Sequence, residues 1–475
     1  MTSTTPTLSP FLSNNFAPVK EEITADNLKV IGELPADLSG MFVRNGPNPQ
    51  FSPIGQYHWF DGDGMLHGLR INNGKASYRN RYVRTNKFQI ENQEGKAVWT
   101  GLLEPPQQDN PHGTDTNRAN TALVYHAGHF LALREGGMPY ELKLPDLTTI
   151  GKHTFNNKLQ SSFTAHPKVD AVTGEMMFIS YSMPQPPYLQ YGIISPSGEL
   201  LRTIPIDLPV GVMMHDFAIT ENYTIFFDLP MNFRPERVEK GQFPIAFESE
   251  TPSRFGIIPR HGDNTEVCWF ETPACFIYHT LNAYEEGDEV VLVACRMSAT
   301  NVFVTNEGDR DPQGDIPYLY RWRFNLKTGV VKEEKLDEVP SEFPRVNDEL
   351  VGRKTRYGYL GRMVSGDLPL FDGLIKYDLD TGKSDTYEFG KGRYGGEAVF
   401  APRLNASSED DGWLVTFVYD ENTQTSELVV VNAQDISGEI VARVMLPQRV
   451  PYGFHGSWVS EMQLIANKHL LQKRE

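Results

Sequence analysis

Two stretches near the start of the chain, Arg44-Asn-Gly-Pro-Asn-Pro-Gln50 and Trp59-Phe-Asp-Gly-Asp-Gly-Met-Leu-His67, carry the most information about the fold. In the first, Gly46 can adopt a positive φ while Pro47 and Pro49 have a fixed φ, which predicts a turn-forming segment. The second stretch places two glycines and two aspartates between aromatic and aliphatic residues, which predicts a tight loop that joins buried strands. By themselves, the two stretches predict only a sterically demanding turn.

Short β-rich runs separated by turns extend along most of the remaining chain. The runs are 121–125, 176–181, 224–227, 290–294, 413–419 and 427–431. The turns between strands place Asp, Asn or Pro before a Gly, at 170–174, 196–198, 325–329, 378–382 and 435–438. Their irregular recurrence predicts an all-β protein, a β-propeller with degenerate blades, although a pair of β-sandwiches fits the residues as well.

The same pass along the chain predicts a single domain. No linker interrupts residues 25 to 460, so we expect the propeller domain to span 17–467, with loose segments at 1–16 and 468–475. The stretch 229–250 mixes apolar residues with charges and interrupts the strand pattern. It predicts a loop or helical excursion that caps one face of the propeller.

Composition limits the class of protein. The 475 residues carry a net charge of −17, which argues against nucleic-acid binding because that requires clustered cations. Three cysteines, Cys268, Cys275 and Cys295, without a C-x-x-C motif predict a reducing compartment and no disulfide framework. The first ten residues lack the features of a signal peptide, and no apolar run is long enough to span a membrane. We therefore expect a cytoplasmic protein.

The twelve histidines show no local metal-binding motif such as H-E-x-x-H. His261-Gly-Asp263 matches the start of a two-histidine, one-carboxylate site, but its surroundings are better explained as an exposed turn. Four other histidines follow apolar or aromatic residues and precede a polar residue, Pro or Gly, as expected at the inner end of a strand. They are His166, His215, His279 and His455. From the residues alone, each is either a hydrogen-bonded core histidine or a metal ligand.

The two opening stretches closely resemble the carotenoid cleavage oxygenases, non-haem iron enzymes that split conjugated double bonds with O2. Matching residues run from Asn15-Phe-Ala-Pro-Val19 to His455-Gly-Ser-Trp458, which is nearly the whole chain. The resemblance implies an oxygenase with a single seven-bladed propeller and Fe(II) on its axis. In the family, four histidines from four blades hold the iron. Their sequence contexts recur here in order at His166, His215, His279 and His455.

The resemblance also implies three glutamates in contact with these histidines. A metal-bound imidazole normally donates its other N–H to a carboxylate, which fixes its tautomer and raises its basicity. The matching contexts imply the pairs Glu135 with His215, Glu342 with His279, and Glu397 with His455. A polyene needs a dry aromatic tunnel, and Phe60 and Tyr278 are candidates for its lining, with ordinary propeller core as the alternative for each. By the resemblance, Thr121 lies near the open coordination position.

The N-terminal sequence is most similar to the sequences of the branch that cleaves carotenoids at the 9,10 and 9′,10′ double bonds. Cleavage at these bonds yields C13 ketones and a C14 dialdehyde. Two other branches remain open as alternatives. Apocarotenoid 15,15′-oxygenases, which make retinal, usually have Trp where this chain has Arg134. Stilbene-cleaving members tend to have Lys there, paired with a Tyr at the position that aligns with Leu102. Arg134 is closer in charge to that Lys.

Two further classes of function are compatible with the fold. One is a non-catalytic propeller that acts as an interaction scaffold, and the other is an isomerase of retinyl esters, as among some relatives of the family. If the protein is a carotenoid-cleaving enzyme, the composition of segment 229–247 predicts peripheral contact with the membrane that contains the substrate. Its apolar residues are Phe233, Phe243, Ile245 and Phe247, beside Arg234, Arg237 and Lys240. The alternative is a loop folded back on its own core.

Overall fold

The computed structural model describes residues 9–105, 107–240, 242–304, 311 and 313–474. Part of the predicted loose segment 1–16, and the last residue of the predicted tail 468–475, lie outside these residues. Strands dominate the described chain, and its two α-helices are α1 (Asn86–Glu94) and α2 (Glu461–Gln472). Among the described residues, no helix combines the length and the apolar composition needed to cross a membrane.

The first nine strands precede residue 153. They are β1 (Thr24–Ala25), β2 (Val30–Gly32), β3 (Gly40–Pro47), β4 (Gly64–Asn72), β5 (Lys75–Tyr82), β6 (Ala122–His126), β7 (His129–Leu133), β8 (Tyr140–Lys143) and β9 (Thr148–Lys152). The next ten are β10 (Lys168–Val169), β11 (Met176–Tyr181), β12 (Leu189–Ile194), β13 (Leu200–Ile206), β14 (Ala218–Ile219), β15 (Tyr223–Asp228), β16 (Met231–Phe233), β17 (Ile245–Phe247), β18 (Ser253–Pro259) and β19 (Cys268–Thr272).

The remaining strands extend almost to the C-terminal helix. They are β20 (Phe276–Glu286), β21 (Glu289–Met297), β22 (Tyr318–Asn325), β23 (Val331–Lys335), β24 (Ser341–Arg345), β25 (Tyr357–Met363), β26 (Phe371–Asp378), β27 (Lys383–Glu388), β28 (Arg393–Tyr394), β29 (Val399–Pro402), β30 (Gly412–Asp420), β31 (Thr425–Asn432), β32 (Ala442–Met445) and β33 (Gly456–Ser460). All six runs predicted as strands lie in or overlap these elements.

Seven sheets of four to six strands are the blades of a seven-bladed β-propeller, so the predicted fold class is confirmed. Their strand orders are β1-β5-β4-β3-β33, β6-β7-β8-β9, β10-β11-β12-β13, β14-β15-β18-β19, β20-β21-β22-β23, β24-β25-β26-β27 and β2-β32-β31-β30-β28, with β29 also paired to β30. Most neighbours in these sheets are consecutive in the chain, as expected for antiparallel meanders joined by short turns. Strand β21, which lies between β20 and β22, is buried almost throughout.

The chain divides into two compact units. The first comprises Met1–His153, Tyr419–Leu428 and Arg443–Glu475, and the second comprises Thr154–Val418 and Val429–Ala442. In the first unit, β33 near the C-terminus pairs with β3 near the N-terminus, with Gly456 opposite Arg44. This pairing anchors the segment directly before β33, which contains His455.

The first of the two opening stretches is mainly strand, so the prediction of a turn over its first half is wrong. Arg44–Pro47 form the end of β3, and Gly46 does not have a positive φ. A Cβ atom on Gly46 would lie 2.8 Å from the Cα of Gly453. Glycine is therefore needed here for close backbone approach and not for its conformational freedom.

The second stretch forms the tight loop that the sequence predicts. A 3₁₀ turn over Trp59–Asp61 leads directly into β4. Its two aspartates are buried, and Asp63 accepts hydrogen bonds from the Lys87 ammonium at 2.9 Å and the Gln50 amide at 3.0 Å. These contacts explain the demand for carboxylates in an otherwise apolar loop, because a buried carboxylate requires partners.

The hairpin turns follow the predicted chemistry at four of five positions. Asp170, Asn325 and Asp378 each accept a hydrogen bond from the amide two residues later, as in an Asx turn. The glycines that end these three turns, and Gly198, have φ between 68° and 84°. Gly438 is the exception, because it does not have a positive φ.

The stretch 229–250 contains a separate two-stranded sheet of β16 and β17, joined through a 3₁₀ segment at Pro235–Lys240. Arg234 pairs with Glu248 through two hydrogen bonds, and the Phe243 ring stacks on Phe303 at 4.6 Å between ring centres.

The side chain of His261 is 62% exposed, in agreement with an exposed turn at that position. The three cysteines are free.

Candidate metal centre

Three of the four singled-out histidines come from three different sheets of the second unit. His166 lies two residues before β10, His215 lies three residues before β14, and His279 lies within β20. The register of β20 against β21 shifts on both sides of Thr280. Such irregularities re-aim side chains, and His279 lies within the first of the two.

The imidazoles of these three residues converge through the same ring atom. His215 Nε2 lies 3.0 Å from His166 Nε2 and 3.3 Å from His279 Nε2. The ring centres of His166 and His279 are 5.0 Å apart. In a neutral imidazole, one nitrogen carries either a proton or a lone pair, so His215 Nε2 cannot satisfy both neighbours by hydrogen bonding. The convergence is typical of ligands that share a cation.

His455, the fourth singled-out histidine, lies in the first unit. It is 7% exposed, its amide donates to the Thr121 carbonyl at 3.2 Å, and its own carbonyl accepts from the Asn45 amide at 2.9 Å. Its place beside the other three imidazoles stays a prediction from the resemblance.

The spacing of the nitrogens fits a first-row transition metal. Metal–imidazole bonds are about 2.0–2.1 Å long, so neighbouring nitrogens at right angles around one ion are about 3 Å apart. The separations of 3.0 and 3.3 Å agree with this value. Imidazole nitrogens suit iron, zinc, copper and nickel, whereas magnesium and calcium prefer oxygen. The donor set therefore fits a non-haem transition-metal ion.

Glu342 orients one of these imidazoles. His279 Nδ1 lies 2.7 Å from Glu342 Oε2, the pairing that the resemblance implies. Because this contact places the Nδ1 proton towards the carboxylate, the Nε2 lone pair is directed at the other histidines. Burial alone would lower the pKa of His279, but the Glu342 carboxylate raises it above its usual value. The same negative charge favours a metal cation on the opposite side of the ring.

The other two glutamates have different surroundings. Glu397 is 3% exposed, and Arg345 donates a hydrogen bond to it at 3.2 Å. Glu135 lies two residues beyond the end of β7 and is half-buried. Their pairing with His455 and His215 stays a prediction.

The residues predicted to touch substrate include two aromatics. The Tyr278 ring contacts the His215 ring edge-on, with 5.3 Å between ring centres. In the first unit, the Phe60 ring packs edge-on against Phe454, the residue before His455, at 5.5 Å. Each aromatic therefore lies beside a histidine or its direct neighbour.

The two polar candidates are also in the first unit. The Thr121 hydroxyl donates to the side chain of Asn120 at 3.1 Å, and the Thr121 carbonyl is the acceptor for the amide of His455. Arg134 precedes Glu135, and burial together with the nearby Arg118 lowers its pKa to about 10. Arg134 therefore remains a cation at neutral pH.

Sequence reasoning missed one acidic residue of this centre. Asp216 is 1% exposed and pairs with Lys168, at 2.7 Å between Asp216 Oδ1 and Lys168 Nζ. The only signal in the sequence was its position directly after His215, and an aspartate just before a short strand usually lies in a solvated turn.

A second group of potential ligands, His129, Glu141 and His153, lies on one sheet of the first unit. Its carboxylate accepts hydrogen bonds from His129 at 2.7 Å and from the Arg474 guanidinium at 2.9 and 3.0 Å. Because the guanidinium already neutralises the carboxylate, we interpret this group as an ion-pair network that ties the end of α2 to β8.

The chain matches a family model and several dioxygenases over most of its length. Residues 16–460 match the family model described as retinal pigment epithelial membrane protein. The chain is 45% identical to carotenoid 9,10(9′,10′)-cleavage dioxygenase 1 of Pisum sativum and 44% identical to the corresponding dioxygenase of Crocus sativus. Each alignment covers 96% of this chain and 90% of the relative.

Solved structures show the same similarity. Lignostilbene dioxygenase of Pseudomonas brassicacearum superposes with a TM-score of 0.89 at 32% identity, covering 95% of this chain and 99% of that protein. Cobalt-substituted apocarotenoid oxygenase of Synechocystis superposes with a TM-score of 0.82 at 28% identity, covering 93% and 97%.

Proposed function

This chain belongs to the carotenoid cleavage oxygenase family, and we propose that it uses non-haem Fe(II) to cleave a carotenoid at the 9,10 and 9′,10′ double bonds. The observation that carries the proposal is the convergence of three imidazoles, with His215 Nε2 3.0 Å from His166 Nε2 and 3.3 Å from His279 Nε2. The choice of double bond is supported by identities of 43–45% to four plant relatives that are named for this cleavage.

The proposed reaction is balanced by O2 alone. One conjugated C=C bond and one O2 molecule give two carbonyl groups, so that each new C=O contains one of the two oxygen atoms. Bound Fe(II) would supply O2 activation next to an electron-rich polyene. His166, His215, His279 and His455 would hold the iron, and Glu342 would keep His279 in the tautomer that offers Nε2.

The remaining contribution of the protein is positioning. A polyene has no polar group at the reacting bond, so its register depends on apolar contacts along its length. Tyr278, held by contact with His215 and by a 3.4 Å hydrogen bond to Thr300, and Phe60, held against Phe454, are rigid enough for this role. We assign Thr121 to the side of the open coordination position, because its carbonyl binds the amide of His455.

A stilbene is the second candidate substrate. Arg134 offers a half-buried cation at the position where stilbene-cleaving relatives tend to have Lys, and a cation there can bind a phenolic oxygen. The structural similarity to lignostilbene dioxygenase is consistent with this alternative, but sequence identity to that protein is lower, at 32% against 45%.

Product analysis tests the proposal. The purified, iron-loaded protein is incubated aerobically with β-carotene, an apocarotenal and a hydroxylated stilbene, and products are identified by mass spectrometry. We expect C13 ketones and a C14 dialdehyde from the carotenoid. Retinal as the main product, or turnover of the stilbene alone, would contradict the assigned double bond. No oxygen-dependent cleavage of any of the three would contradict the enzymatic function.

We also propose peripheral membrane contact through segment 229–247, because carotenoids reside in membranes. The surroundings of the segment refine which groups insert. Ile245 is buried and Phe243 stacks on Phe303, whereas Val238 is 58% exposed on a 3₁₀ segment that also carries Arg237 and Lys240. An exposed apolar side chain among cations fits an interface with anionic lipid.

A further inference from the structure

One buried carboxylate contacts the chain segments of three candidate metal ligands. Asp216 directly follows His215, and its Oδ1 lies 2.7 Å from the ammonium of Lys168, two residues after His166. Its Oδ2 accepts two hydrogen bonds, each of 2.9 Å, from the amide and the hydroxyl of Thr280, which directly follows His279. Asp216 is therefore the common partner of three segments that belong to three different sheets.

The partners of Asp216 also contact one another. Lys168 Nζ lies 3.3 Å from the Thr280 hydroxyl, which closes a triangle of Asp216, Lys168 and Thr280. The amide of Phe217 donates to Asp216 Oδ1 at 2.8 Å, so both carboxylate oxygens are engaged. Since Asp216 is 1% exposed, water does not weaken these charge-assisted hydrogen bonds.

We propose that Asp216 is a positioning residue that sets the mutual placement of His166, His215 and His279 and thereby the affinity for the metal. It acts on the backbone and on the residues next to the ligands, whereas Glu342 acts on an imidazole nitrogen directly. The inference rests on the metal centre of the proposed function. It requires that the three imidazoles be held in place before the metal binds, because this reduces the entropy lost on binding.

The test compares Asp216→Asn with a matched control, Asp410→Asn. Asp410 forms the same kind of buried ion pair, at 2.7 Å from the ammonium of Lys376, but contacts no histidine-bearing segment among the described residues. The Kd for Co(II) is measured by titrating the metal-free proteins and following visible absorption. The melting temperature of each metal-free protein is measured in parallel.

We expect Asp216→Asn to weaken Co(II) binding by about 10–100-fold and to change the absorption spectrum, as for loss of an outer contact of a metal ligand. Asp410→Asn should lower the melting temperature without changing Kd or spectrum. Wild-type Kd in the Asp216 variant, or an equal loss of affinity in both variants, would overturn the positioning role.

If Asp216→Asn does not fold, Thr280→Val provides a second test. This variant removes the hydrogen bond from the Thr280 hydroxyl to Asp216 and keeps the one from the Thr280 amide, so it should weaken Co(II) binding by a smaller factor. Unchanged binding in that variant would overturn the inference. Failure of the wild-type protein to bind Co(II) or Fe(II) at all would instead refute the metal centre itself, and the positioning role with it.

Discussion

Replacement of Glu342 by Gln tests how the protein prepares His279 for a metal. The carboxylate Oε2 accepts from His279 Nδ1 at 2.7 Å and also from the amide of Phe343. Glutamine preserves the shape of the side chain but removes its charge. A hydrogen bond to an ionised group contributes about 1.5–3 kcal/mol, against about 0.5–1.5 kcal/mol for a neutral pair. The variant should therefore lose about 1 kcal/mol at this contact alone.

The metal amplifies this loss, because the carboxylate also stabilises the positive charge that the metal places on His279. For contacts of this kind, removal typically weakens metal binding by about 10–100-fold, which corresponds to about 1.4–2.7 kcal/mol. The variant amide NH2 would also replace Glu342 Oε1, a buried oxygen that accepts no hydrogen bond from the described residues. We therefore expect some loss of folding stability in addition to the loss of affinity.

The assay is a Co(II) titration of metal-free protein, with iron content after purification as a second measurement. Glu338→Gln is the control, because Glu338 has an 85% exposed side chain and removal of a surface charge should leave metal binding unchanged. Wild-type affinity in the Glu342 variant would refute the argument that this carboxylate fixes the tautomer and supports the charge of His279.

Replacement of His215 by Ala should abolish iron retention, measured by elemental analysis, and full iron content and activity in this variant would remove His215 from the ligand set. Glu135→Gln should retain most iron, with the affinity for iron or the turnover lowered by about 10–100-fold. Burial alone would raise the pKa of Asp170, but hydrogen bonds from two arginine guanidinium groups outweigh it and lower the pKa to about 2. Its contribution to stability should be complete above its usual pKa of 3.8 and lost as pH falls towards 2, and Asp170→Asn should flatten this dependence in urea unfolding curves measured between pH 2.5 and 6. Val238→Ser together with Lys240→Ser should weaken liposome binding and slow carotenoid cleavage while sparing a short apocarotenal given in detergent, and equal loss on both substrates would contradict the membrane role.

The features that depend on neighbouring residues were predictable from the sequence. The turns that begin at Asp170, Asn325 and Asp378 form where the sequence predicts them, because a turn of this type is determined within five residues. The strands were found for the same reason, since alternating and buried runs are local patterns. The four histidines could be singled out by context, although only the resemblance to a family distinguished ligands from core residues.

Features that depend on distant parts of the chain were harder to predict. Gly46 is typical of a turn, but glycine is required there because of Gly453, which is 407 positions away (453 − 46). A Cβ atom on residue 46 would lie only 2.8 Å from the Cα of Gly453. Asp216 has no local signal of burial, because its partners Lys168 and Thr280 come from other sheets. In both cases, the deciding neighbour comes from a remote segment that no local pattern identifies.

The measurement that tests the metal centre most directly is anomalous diffraction at the iron edge from crystals of the protein loaded anaerobically with Fe(II). We predict a single anomalous peak among the imidazoles of His166, His215, His279 and His455, at about 2.1 Å from the nearest nitrogen of each. A peak bound by other residues, or no peak in crystals grown from protein with one iron per chain, would contradict the four-histidine centre.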